Sequence, residues 1–89
     1  MKIKSGFVMR KVGSGYAAVP VHERAKTFNG MIRLNETGAF LFERLASDTT
    51  TDELAGMLAA EYGIGLDEAE ADVRAFLETM DENGFLVKT

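Results

Sequence analysis

Asn29-Gly30-Met31-Ile32-Arg33-Leu34-Asn35-Glu36-Thr37-Gly38-Ala39-Phe40-Leu41-Phe42 joins two kinds of periodicity with almost no loop between them. Asn29-Gly30 is a tight-turn signal, because both residues tolerate positive φ. Met31 to Leu34 then reads as a short apolar strand. At Asn35 the pattern switches to helical spacing. The Asn35 side chain suits an N-cap, where it accepts a hydrogen bond from a first-turn amide. Glu36 sets a negative charge where the helix dipole favours one. Everything before this stretch reads as strand and turn, and everything after it as helix.

Working outward toward the start, Phe7 to Val12 reads as a first strand, Gly13-Ser14-Gly15 as a turn, and Tyr16 to Val21 as a second strand. Pro20 has no amide to donate, so it belongs near the strand's end or on an unpaired side. His22 to Phe28 reads either as a loop with a helical turn, or with Thr27-Phe28 paired to Met31-Ile32 across the Asn-Gly turn. Toward the other end, a first helix is expected from Glu36 to Ala46. Gly38 lowers its propensity by about 1 kcal/mol relative to Ala, which suggests close backbone packing there. A second helix starts at Thr50, with Glu53 as capping-box partner, and stops at Gly63. A third starts at Asp67, with Glu70 as its partner, and carries Ala69, Val73, Phe76, Leu77 and Met80 on one face. Gly84 suits a left-handed stop, after which Phe85, Leu86 and Val87 return to the core or add a short strand. The expectation is one α+β domain over residues 1–89, winged-helix-like, with a three-stranded antiparallel meander followed by three helices.

Composition narrows the function. A chain of 89 residues buries roughly 60–65% of its unfolded surface, enough for one core and little room for an enclosed active site. It has no cysteine, so neither a disulfide framework nor thiol chemistry is expected. That points to the cytoplasm, since secreted domains this small usually need disulfides. No apolar run follows Met1-Lys2-Ile3-Lys4, so neither a signal peptide nor a membrane span is expected. Residues 1–45 hold eight Lys or Arg and three acids, a net of +5. Residues 46–89 hold two basic residues and eleven acids, a net of −9. The halves are either complementary to each other or two surfaces with different partners.

Catalysis has little to stand on. His22 is the single histidine and reads as a surface residue. Without cysteine and with one histidine, transition-metal ligands are lacking. Asp67-Glu68-Glu70-Asp72 lacks the glycine and distal glutamate of a calcium loop and coincides with a helix start, where acids are expected. Gly13-Ser14-Gly15 and Gly63-Ile64-Gly65 lack the third glycine and the context of a phosphate loop. Met9, Met31, Met57 and Met80 occupy apolar positions and read as core. In a winged-helix DNA binder the third helix would meet phosphate, yet here it sets seven acids against Arg74. What remains is the outer strand, Met31 to Leu34. It is an edge with free main-chain groups, Arg33 as its one gatekeeper, and the capacity to take an added strand.

Leu34-Asn35-Glu36-Thr37-Gly38-Ala39-Phe40-Leu41-Phe42 resembles the strand-to-helix junction of the PqqD family. The order of elements is similar over nearly the whole chain, down to the terminal Gly84-Phe85-Leu86. The resemblance implies a non-catalytic peptide chaperone, also called a RiPP recognition element, with no cofactor. Such a domain binds the leader of a ribosomally made precursor peptide and delivers it to a modifying enzyme, often a radical SAM protein. It also implies that the leader adds to the third strand and lies against the third helix. By position the edge is Met31, Ile32, Arg33 and Leu34. The other wall falls to third-helix residues, with Glu70, Arg74, Leu77 and Asp81 on one candidate flank and Glu78 further out on that side, and the spacing leaves open which flank faces the groove. The acidity of this helix suggests a leader with some basic residues. Residues 22–30 are longer than in compact family members, and either fold over the groove or reposition the edge. The resemblance is to the general domain, which favours a peptide pathway other than quinone-cofactor synthesis. The alternatives are a winged-helix transcriptional or protein-interaction domain, and use of the edge in a homodimer.

Overall fold

A computed structural model describes residues 1–27 and 31–87. In chain order the elements are β1 (Lys2–Ile3), β2 (Phe7–Val12), β3 (Gly15–Pro20), the single turn α1 (Arg24–Thr27), β4 (Ile32–Leu34), α2 (Glu36–Arg44), α3 (Thr51–Tyr62), α4 (Leu66–Glu82) and β5 (Leu86–Val87). β2, β3 and β4 form an antiparallel meander in that spatial order, as short connections favour. Gly13 turns the hairpin at φ +61°, and Phe7 meets Pro20 at its open end. Pro20 closes β3 at its last position, where a missing donor costs least. The expected α+β order of three strands and then three helices stands, with additions at both ends.

The stretch after β3 takes the helical-turn alternative. The amides of Ala25 and Lys26 donate to the carbonyls of His22 and Glu23 at 3.1 and 3.2 Å. The Asn29-Gly30 turn, and the pairing of Thr27-Phe28 with Met31-Ile32, rest on Phe28, Asn29 and Gly30, which lie outside the described residues.

Asn35 caps α2 as expected, accepting from the Gly38 amide at 2.7 Å. Thr50 caps α3 and accepts from the Glu53 amide at 3.2 Å, and its hydroxyl donates to the Glu53 carboxylate at 3.1 Å. Gly63 stops α3 in the left-handed conformation at φ +63°. α4 corrects the expected start. It begins at Leu66 behind Gly65, with no side-chain cap, so Asp67 sits inside the first turn and acts on the dipole alone. Glu70 is thereby freed for Arg74, one helical turn on, at 2.9 Å.

The ends of the chain form a second sheet. Ile3 pairs with Leu86 and Lys2 with Val87. Between these strands and the helices, the Ile3 amide reaches the Leu45 carbonyl at 2.9 Å, and the Lys4 amide reaches the Phe85 carbonyl at 2.8 Å. Phe85 is fully buried and stacks on Phe7, their centroids 4.1 Å apart. So residues 85–87 both return to the core and add a strand. The core runs from this stack through Leu41, Leu45, Leu54, Leu58, Val73 and Met80.

Candidate functional site

β4 pairs with β3 on one side and with no other described strand. No described backbone hydrogen bond outside that ladder uses Ile32, Arg33 or Leu34. Among the described residues, a row of main-chain donors and acceptors therefore stays open along this edge. Alternation along β4 sets Ile32 half-buried and Leu34 buried on the core side, and leaves Arg33 exposed on the other.

Beside the edge lies a cleft of about 520 Å³. One wall is Ile32, Arg33 and Leu34. The floor is Asn35, Thr37, Gly38 and Leu41 at the start of α2. The far wall is Asp72, Ala75, Phe76, Thr79 and Met80 of α4. The absence of a side chain at Gly38 keeps the floor open. A Cβ there would meet Asn35 Oδ1 at 3.0 Å, Phe76 Cε1 at 3.5 Å and Leu34 Cβ at 3.6 Å. The helical cap and the close approach of α2 to α4 thus share one position. The apolar groups Ile32, Leu34, Leu41, Phe76 and Met80 back the cleft, and Arg33 and Asp72 stand exposed on opposite walls.

Of the residues expected at the site, Ile32, Arg33 and Leu34 come together at the cleft. Met31 lies just before β4 and is 50% exposed. The expected α4 residues belong to the other flank of that helix. Leu77, Glu78 and Asp81 line a separate depression of about 540 Å³ with Met1, Thr49, Thr50, Thr51 and Leu86. Glu70 and Arg74 pair with each other and line neither depression. The flank that faces β4 is Asp72, Ala75, Phe76 and Thr79, across the buried stripe from the expected one. Phe76 was the one residue of it that apolar spacing could single out. None of Val21, His22, Glu23, Ala25 and Lys26 lines the cleft.

Among the described residues two groups have displaced proton affinities, and neither lines the cleft. A hydrogen bond from the amino group of Met1 holds the Asp48 carboxyl below its ordinary range. Burial, followed by the charges of Glu36 and Glu61, pushes the Tyr62 phenol up. Among the described residues no three His, Asp or Glu side chains converge as a metal site, and no helix is long and apolar enough to cross a membrane. The site offers main-chain pairing, apolar contact, a carboxylate on the α4 wall and a cation on the outer face of the edge strand.

The family model described as Coenzyme PQQ synthesis protein D (PqqD) matches residues 17–86, from the centre of β3 to β5. This chain belongs to the PqqD family. No curated protein matches it significantly. Two solved structures share the PqqD-family fold. One is TbiB1 in complex with the TbiA(beta) leader peptide, with TM-score 0.75, 19% identity, and coverage of 100% of this chain and 98% of that one. The other is lasso peptide synthetase B1 complexed with the leader peptide, with TM-score 0.74, 21% identity, and coverage of 98% and 96%.

Proposed function

We propose that this PqqD-family chain is a non-catalytic leader-peptide chaperone. The leader of a ribosomally made precursor adds as a strand to β4, lies against the Asp72–Thr79 flank of α4, and is carried to a modifying enzyme of the radical SAM or another type. The observation that carries this reading is the β4 edge, unpaired among the described residues, bordering a cleft backed by Ile32, Leu34, Leu41, Phe76 and Met80. Main-chain bonds along the edge supply affinity that does not depend on side chains, and the pockets for alternate side chains supply selection. Family membership supports it, as does the shared fold of two proteins that were solved with leader peptides. The acidity of α4 argues against the DNA-binding form of the winged-helix alternative, because phosphate would meet seven carboxylates on that helix.

The test is a titration of isotope-labelled protein with the precursor peptide encoded beside its gene. Amide signals of residues 31–34 and of 72–80 should shift together. Unmoved signals at high micromolar peptide would sink the reading. A precursor gene beside a radical SAM gene would support that enzyme as the partner, and a different modifying enzyme there would replace it.

A further inference from the structure

Resting on that reading, we propose that the cleft selects the charge pattern of its strand: an acidic residue beside Arg33 and a basic residue facing Asp72, an odd number of positions apart. The two walls carry opposite charge. The strands β2, β3 and β4 contain Arg10, Lys11 and Arg33 and no acid. Arg10, Ala17 and Arg33 stand on one cross-strand row, and neither arginine makes an ion pair among the described residues. A strand added to β4 extends that row. Its residue next to Arg33 would have its Cβ roughly 4.5–5.5 Å from that of Arg33. Arg10, two strand spacings from Arg33 at roughly 9–10 Å, adds to the same field.

α4 supplies the other sign. Asp72 is exposed on the cleft flank and makes no ion pair among the described residues. The base of that helix, Arg74, is already held by Glu70. The floor, Asn35, Thr37, Gly38 and Leu41, is uncharged. Side chains of a strand alternate in direction, so a residue directed at the outer sheet face with Arg33 has neighbours directed into the cleft. A base that meets Asp72 therefore sits one or three residues from the acid, and the remaining inward positions face Ile32, Leu34 and Phe76. A uniformly basic leader would be repelled at Arg33.

The test is selection of a displayed library of random 12-residue peptides on the full chain, and in parallel on Arg33→Glu, Asp72→Lys and the neutral variants Arg33→Gln and Asp72→Asn. Both positions are exposed, and unchanged melting curves would confirm that the variants fold. The wild type should enrich apolar peptides with an acid and a base at odd spacing. Arg33→Glu should replace the acid by a base, Asp72→Lys the base by an acid, and each neutral variant should lose one preference. Reversing the selected acid in a synthetic peptide should weaken binding about tenfold, and Arg33→Glu should restore it. Enriched peptides whose charge pattern ignores all four substitutions would overturn the charge rule and leave strand addition standing. Failure to enrich any peptide would overturn both.

Discussion

At Asn35 one side chain serves two structures. It ends the open edge of β4 and caps α2, accepting from the Gly38 amide and from the Thr37 hydroxyl at 3.1 Å. Replacing it with Ala removes the cap and should cost about 1 kcal/mol. In a domain of this size that lowers the melting temperature by about 4–8 °C, a shift that a thermal melt resolves. Thr49 is the opposite case. Its Oγ1, between α2 and α3, is buried with no hydrogen-bond partner among the described residues. Thr49→Val exchanges that hydroxyl for a methyl group of similar size and should raise stability by about 1 kcal/mol, read by urea denaturation. The Asn35 cap was legible in sequence because capping needs only local spacing. The Thr49 hydroxyl was not, since its environment is assembled from Met1, α4 and β5, distant in the chain.

At the scale of elements, α4 has to choose which flank meets β4. Its apolar stripe established that Ala69, Val73, Leu77 and Met80 face inward, and all four are buried. The stripe alone leaves the two polar flanks equivalent. The choice follows from how α4 crosses α2 and α3, a matter of tertiary packing to which periodicity is blind. Ala75→Trp should fill the cleft from an exposed position, abolishing peptide binding in the titration while leaving the melt near that of the wild type. Glu78→Ala, on the other flank, should leave binding intact. The β1–β5 pair was harder still to read, because two-residue strands carry no period. Its anchor is Phe85, stacked on Phe7. Phe85→Ala should cost about 3–5 kcal/mol, a large part of the stability expected of any small domain, and be visible as a displaced denaturation midpoint.

Across the whole molecule, the cations of the sheet stand apart from the acids of the helices, while the Met1 amino group pairs with Asp48. Arg10, Lys11 and Arg33 of the sheet have no acidic partner on the helices among the described residues. This bears on how the protein keeps an open edge without pairing with itself. β4 is three residues long, with Arg33 at its middle. Antiparallel pairing of two copies centred on that strand sets Arg33 against Arg33, and like charges directly opposite one another destabilise a ladder. The short strand and the central cation are both devices that protect edges. Yet neither blocks a peptide that brings an acid to the same place. The wild type should therefore sediment as a monomer at concentrations where Arg33→Val, which removes the repulsion and adds a β-branched apolar side chain, shifts toward a dimer. Saturating peptide should return the variant to the monomer by occupying the shared edge. A dimer of the wild type that peptide dissolves would mean that Arg33 does not guard the edge, and that the leader has to compete with a second copy for β4.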